Sequence, residues 1–546
     1  MDVTGRISIK VDAGKSIGLL QHNWKYIGYD ENNYTHTPEG EELIAKFGRL
    51  GDGPYYFRTH HMLCTGNLHG IYKWGSTNAY TEDESGNPVY NWETVDRILD
   101  VYHRNNGKPF FELGFMPFHL VDPKHFEGMG DWQQFEEYKK TFWSYPPKDY
   151  QKWYDLIFNL VRHCVDRYGE AEVLTWYWEL WNEPDIFYWR GTPEEFFKLF
   201  DYTEAAVHAV LEGAKLGGPG TTDPNPGANS LMFMEAFLDH CANGLHAITG
   251  EKGIRLDFAT FHTKGGGFPF KLNAPKDTPS IRKQVSQVKT GLEALNRYGY
   301  GSLEVVLSEA DPDGWAAGGQ YDNQNMNFRN TEYYASYVAC GYHQIERVAR
   351  SMQADVRPLA WAFLFRGERC FEGTRTFTTQ GIDKAVLNAF KMFARMGTRE
   401  LGFASSGEND VLAYRDNFGT GETPDISGMA STSDDGRLQI LIYSHHDDCD
   451  IESEADIELH ITGISLQGPV LVKHARIDAS HSNAYAEWVS QGKPDYPNDA
   501  QYADIKSRDK LELLTPPVTV IPTDGKLSLS FTLPAHAVSL LELSAG

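Results

Sequence analysis

Eight short apolar or aromatic runs alternate with stretches of helical periodicity over about 380 residues, and this alternation restricts the chain more than any single motif. The runs lie at 17–22, 54–63, 110–117, 175–185, 215–220, 256–264, 303–312 and 358–366. Helix starts fall between them. Thr37-Pro38 offers an N-cap followed by a first-turn proline, Asn91 precedes Trp92, Val95, Ile98, Leu99 and Tyr102 at helical spacing, and Thr192-Pro-Glu-Glu195 is a capping box. The expectation is an α/β chain whose residues 15–400 form a (β/α)8 barrel. A doubly wound open sheet more often carries a Gly-rich phosphate turn after its first strand, and none is seen here.

After residue 400 the pattern changes to strands and turns, which predicts a β-sandwich over 401–546. Residues 1–14 hold Arg6-Ile-Ser-Ile-Lys-Val11, an alternating strand pattern expected to join that sandwich. The acidic alternation from Asp450 to Glu458 reads as a charged edge strand that resists pairing with other chains.

Charge narrows the partners. A net charge of −25 and a pI near 5.2 argue against nucleic acid and anionic membranes, both of which reward Lys and Arg clusters. No segment reaches the roughly 18 apolar residues of a membrane span, and the N-terminus shows no basic and apolar leader. The chain as given is therefore expected in the cytoplasm, unless a signal has been removed. Its 6 cysteines are scattered without Cys-x-x-Cys spacing and read as reduced, mostly buried thiols. His445-His446-Asp447-Asp448-Cys449 reads as an exposed loop, because consecutive strand-end side chains diverge, and no metal site is assigned.

Two of the eight runs end in chemistry. The fourth finishes in Trp181-Asn182-Glu183-Pro184, where the proline ends sheet pairing and leaves Glu183 at a strand tip; the seventh delivers Glu309 just before Pro312. Two carboxyl groups on two strand tips suit glycosidic bond cleavage. One must be protonated to serve the leaving oxygen, and the other ionised to meet an oxocarbenium-like carbon. No cofactor is required.

Five blocks in order, Arg58-Thr59-His60, Trp181-Asn-Glu-Pro-Asp185, Leu216-Gly-Gly-Pro-Gly220, Phe261-His262-Thr-Lys264-Gly265 and Glu309-Ala-Asp-Pro312 with Gly314-Trp315, resemble glycoside hydrolase family 39, which holds β-xylosidases and α-L-iduronidases. The resemblance implies a retaining enzyme on a barrel-plus-sandwich layout. It also implies that Glu183 is the acid/base, Glu309 the nucleophile and Asn182 a ligand of the sugar 2-hydroxyl, with His60 and His262 lining the subsite. Phe371-Glu372-Gly373 and 381–388 look more like the β-xylosidase branch, in which Glu372 would bind sugar hydroxyls; a solvated loop acid is the other reading. Trp315 and Trp361 either stack on the ring or fill the barrel mouth. Lys264 resembles the lysine that iduronidases direct at a uronate, and Arg375 is a second candidate cation. The expected function is an exo-acting β-D-xylosidase on small oligosaccharides. The alternatives are an iduronidase-like or arabinoside-type glycosidase, and a carbohydrate-binding protein on an inactive barrel.

Overall fold

The computed structural model describes residues 4–68, 75–125, 141–266, 279–314, 319–361, 367–413, 423–466 and 468–546. Eight parallel strands close into a barrel: Tyr26–Glu31, Tyr55–His60, Gly107–Leu113, Tyr177–Leu180, Lys215–Thr221, Phe258–Lys264, Glu304–Asp311 and Asp355–Trp361. A layer of Tyr26, Phe110, Tyr177, Phe258, Val306, Leu359 and Trp361 fills its interior, so the barrel is a packed core with its working end at the strand C-termini. The helix caps form as the sequence dictates. Thr37 Oγ1 accepts from Gly40 N at 3.2 Å, and Thr192 with Glu195 completes the capping box.

The first barrel strand differs from the one expected at 17–22. Tyr26–Glu31 takes that place, while Ile17 and Leu19 are exposed at the end of the long strand Thr4–Leu19. The physical reason is that two acids at the end of Tyr26–Glu31 interrupt the apolar pattern that marks a buried strand, yet Asp30 and Glu31 are buried at the mouth of the barrel. Gly28 is required in this strand, because a Cβ there would stand 2.3 Å from the indole of Trp361.

A curled sheet forms the second body. Thr4–Leu19 runs past the boundary expected at residue 14, pairing antiparallel with Arg399–Ser405 and parallel with Glu454–Thr462. The sheet continues on one side through Asp425–Thr432, Leu438–His445, Ala537–Ala545 and Val470–Ile477, and ends on the other at Leu527–Pro534. Ile9, Ile440, Leu459, Val470 and Leu541 pack between its faces. The acidic strand Glu454–Thr462 is not the edge that its charges suggested. It is flanked by Thr4–Leu19 and Leu527–Pro534, with Asp456 and Glu458 on its outer face.

His445 and His446 do not lie in an exposed loop either. Both are buried where the barrel helix Glu332–Ser351 meets the sheet, and His445 shares a hydrogen bond of 2.9 Å with Ser336. Asp425 joins the same interface, accepting from Gln344 Nε2 at 2.7 Å and the Tyr443 hydroxyl at 2.9 Å.

Candidate active site

Strand alternation puts residues i and i+2 on one face, and the barrel uses this three times at its mouth: Arg58 with His60, His262 with Lys264, and Glu309 with Asp311. A register shift between Leu307 and Glu309, where strand seven meets strand six, marks a bulge beside Glu309. Strand four ends under strain. Trp181 and Glu183 sit at φ 67° and 48°, in the left-handed region that costs a non-glycine residue free energy. Glu183 N, donating to Gly220 O at 2.8 Å, helps to hold this turn.

The two carboxyl groups meet across His262. Its Nδ1 is 2.9 Å from Glu183 Oε1 and 3.8 Å from Glu309 Oε2, and one oxygen from each glutamate, with a ring nitrogen, falls within 4.8 Å of the others. Lys264 Nζ stands 2.7 Å from Glu309 Oε2 and 3.1 Å from Asp311; Arg58 Nη1 and His60 Nε2 stand 3.5 and 3.4 Å from Glu309 Oε1. Three histidine and carboxylate ligand atoms this close could hold a metal ion. Lys264, Arg58 and His60 already place positive charge on both oxygens of Glu309, so a divalent cation would be repelled there.

A buried frame fixes these groups. Arg58 donates to Glu179 at 2.5 Å and to Asn182 Oδ1 at 2.9 Å, and its Nη2 lies 3.1 Å from Glu112. His60 Nδ1 lies 2.6 Å from Glu112, and Trp361 Nε1 donates to Asp30 at 3.2 Å. Arg375 donates to Asp311, whose other neighbours are Lys264 and Arg329. Asp30, His60, His61, Phe115, Trp143, Asn182 and Tyr188 surround a small cavity beside the carboxylates.

Electrostatics separate the two glutamates. Burial pushes Glu309 up, but the charges of Lys264, His262 and His60 outweigh it and hold its carboxyl well below the ordinary range. Burial also raises Glu183, and the His262 hydrogen bond brings it below its ordinary value, though not by so much. Burial alone would lower His60, yet the charge and hydrogen bond of Glu112 raise it to about 9, so it is an imidazolium at neutral pH.

The structure thus brings together Glu183, Glu309, His60, Asn182, His262 and Lys264. It treats the remaining expected ligands differently. Trp361 is 0% exposed, packed over Gly28 and against His60, so it fills the barrel mouth and has no free face for a sugar. Glu372 turns to Arg369, with 2.7 Å between the charged groups, and accepts from Arg369 N at 2.8 Å. That pairing fits the reading of Glu372 as a loop acid. Trp315 lies outside the described residues. Sequence reasoning missed Asp30, Glu112 and Glu179, whose only signal was an acid inside or at the end of an apolar run.

The family profile of glycosyl hydrolases family 39 matches residues 7–526. The chain belongs to this family. Within family 39 and its neighbours, the chain is 26% identical over 477 residues to a β-xylosidase of Geobacillus stearothermophilus, covering 84% of this chain and 81% of that one. It is 24% identical over 574 residues to the α-L-iduronidase of Homo sapiens, covering 98% of this chain and 78% of that one. Among solved structures, a bacterial orthologue of human α-L-iduronidase superposes with a TM-score of 0.78 at 21% identity, covering 100% of this chain and 84% of that one. The chain is a family 39 glycosidase acting on a glycoside.

Proposed function

We propose that the protein is a retaining, exo-acting β-D-xylosidase, with Glu309 as nucleophile and Glu183 as acid/base. The observation that carries this reading is the approach of the two carboxyl groups, with an oxygen of each within 4.8 Å. Double displacement wants carboxyl groups about 5 to 5.5 Å apart, whereas inverting enzymes need about 6.5 to 9.5 Å to admit a water. The roles follow from surroundings. Glu309, held ionised by Lys264 and His60, is fit to attack the anomeric carbon; Glu183 lies across His262 from it with the more exposed side chain, at 16% against 9%, where a leaving oxygen and then water could reach it. In the first displacement Glu183 would give its proton to the leaving oxygen as Glu309 bonds to the anomeric carbon; in the second it would take a proton from the water that attacks that carbon, releasing Glu309 as a carboxylate and leaving Glu183 protonated again.

A neutral sugar suits the charge balance. Lys264 is engaged by Glu309 and Asp311, and Arg375 by Asp311, so neither cation is left over for a substrate carboxylate. A second reading, an α-L-iduronidase-type enzyme, is supported by the likeness to the human α-L-iduronidase over 98% of this chain.

The test is an aryl glycoside panel followed by proton NMR of the first-formed product. Turnover of the β-D-xyloside with retention is expected. Preferential turnover of the α-L-iduronide would replace the sugar assignment, and an inverted first product would remove the double displacement.

A further inference from the structure

The two oxygens of Glu309 have different surroundings. Lys264 Nζ stands 2.7 Å from Oε2, whereas Oε1 faces the Arg58 guanidinium at 3.5 Å and the His60 imidazole at 3.4 Å. Those last two groups share a holder. Glu112, fully buried on the third barrel strand Gly107–Leu113, brings a single oxygen, Oε2, to 3.1 Å from Arg58 Nη2 and 2.6 Å from His60 Nδ1. Among the described residues its other oxygen, Oε1, accepts no hydrogen bond. A buried carboxylate with one oxygen bare costs free energy, and an apolar side chain of similar volume would fill the same place more cheaply. Packing therefore does not account for Glu112. His60 also meets Asp30 Oδ1 from the first barrel strand at 3.6 Å, Arg58 from its own strand and the ring of His61 beside it. Burial works against a charged imidazole there, and the charge and hydrogen bond of Glu112 are the largest of the influences that overcome it.

We propose that Glu112 is a positioning residue for the second half of the reaction: through His60 it holds positive charge against Oε1 of Glu309, and that charge eases the departure of Glu309 from the glycosyl enzyme. This rests on the reading of Glu309 as the nucleophile of a double displacement. In the first displacement Glu309 attacks as a carboxylate and loses its charge as the ester bond to the anomeric carbon forms. A cation beside it stabilises the starting state more than the transition state, so it does not speed that step. In the second displacement water bonds to the anomeric carbon, its proton passes to Glu183, the ester C–O bond breaks, and the electron pair of that bond returns to Glu309. A cation already in place then meets the charge as it develops. The carboxylate shares that charge over both oxygens, so contact with Oε1 helps whichever oxygen carried the sugar. His60 keeps its proton throughout.

The experiment compares wild type with Glu112→Gln, which keeps the shape and removes the charge, and with Glu112→Asp, which keeps the charge on a shorter arm. The substrate is 2,4-dinitrophenyl β-D-xyloside, whose leaving group departs so readily that breakdown of the glycosyl enzyme limits turnover. In Glu112→Gln kcat should fall about tenfold, part of what the loss of a whole donor to a developing anion costs. KM should fall with it, leaving kcat/KM within about twofold of wild type, and intact-mass spectrometry of the acid-quenched enzyme should show the glycosyl adduct accumulating. Glu112→Asp should recover part of kcat. In a His60→Gln background, Glu112→Gln should cost less than about twofold more. Equal losses of kcat and kcat/KM without adduct, a Gln variant faster than the Asp variant, or the full loss repeated in the His60→Gln background overturns the inference. Should Glu112→Gln not fold, His60→Gln decides alone: the adduct should accumulate in it, and its absence overturns the inference. If the wild type prefers another aryl glycoside, the dinitrophenyl glycoside of that sugar enters the same comparison. An inverted first product, or no cleavage of any aryl glycoside, removes the reading on which the inference rests.

Discussion

Lys264 and Glu309 stand on adjacent strands with Nζ 2.7 Å from Oε2, so the cation at this site is committed to the carboxylate that must stay ionised. The pair has a measurable consequence. Burial pushes Glu309 up, and the Lys264 charge is the largest of the influences holding it down. In Lys264→Met the carboxyl should therefore rise, and the acid limb of the kcat/KM profile on aryl xyloside should move to higher pH. An unmoved acid limb in an active variant would mean that Lys264 serves the substrate and not Glu309.

Glu183→Ala should separate the two chemical steps. Without a proton donor, turnover should fall by about 100-fold or more on substrates with poor leaving groups and much less on activated aryl glycosides. Azide should restore turnover by attacking the glycosyl enzyme from the vacated side, giving a product of retained configuration. The same addition to Glu309→Ala should not give that product. Identical responses in the two variants would contradict the division of roles.

His60 makes stability depend on pH in a stated direction. Its folded-state pKa, raised to about 9 from an ordinary 6.5, gives stability that is fully present below 6.5 and lost as pH rises through 9. The urea midpoint should accordingly fall between pH 7 and 9.5, and His60→Gln should flatten this part of the curve. A wild-type midpoint that climbs across this window would refute the assigned charge.

Gly28 tests the packing under the site. A Cβ added there would meet Trp361 at 2.3 Å and Leu359 at 2.7 Å, both inside the barrel. Gly28→Ala should cost about 1 to 3 kcal/mol, the usual range for overpacking a core. Combining it with Trp361→Leu should recover part of that loss, which denaturant unfolding of both variants would measure. A single variant as stable as the wild type would show that the barrel mouth is looser than described.

What the sequence made legible was what periodicity and strand ends encode. Glu183 and Glu309 could be placed because a proline follows each apolar run closely, and the pairing of His262 with Lys264 follows from alternation alone. Asp30, Glu112 and Glu179 escaped notice because a buried acid interrupts the apolar signal that marks a barrel strand, and only the incoming Arg58, His60 and Trp361 explain its burial. For the same reason Tyr26–Glu31 was passed over in favour of a more uniformly apolar neighbour. Trp361 and Glu372 show how residue type alone leaves two readings open. Their residue types suit sugar binding, but their partners, Gly28 and Arg369, come from other parts of the chain or from a loop turn that composition does not encode.

The strand Thr4–Leu19 also bears on how the protein is made. It precedes the barrel in the chain, yet its partners Arg399–Ser405 and Glu454–Thr462 are synthesised only after the whole barrel. During translation it must wait as a strand with both edges open, which is the state most prone to wrong pairing. Once Leu19 meets Arg399, the two ends of the barrel segment are fastened side by side in a single sheet. Deleting Thr4–Leu19 would then not shorten an edge. It would remove an interior strand, leaving Arg399–Ser405 and Glu454–Thr462 without a common partner, and it would release the barrel from its own far end.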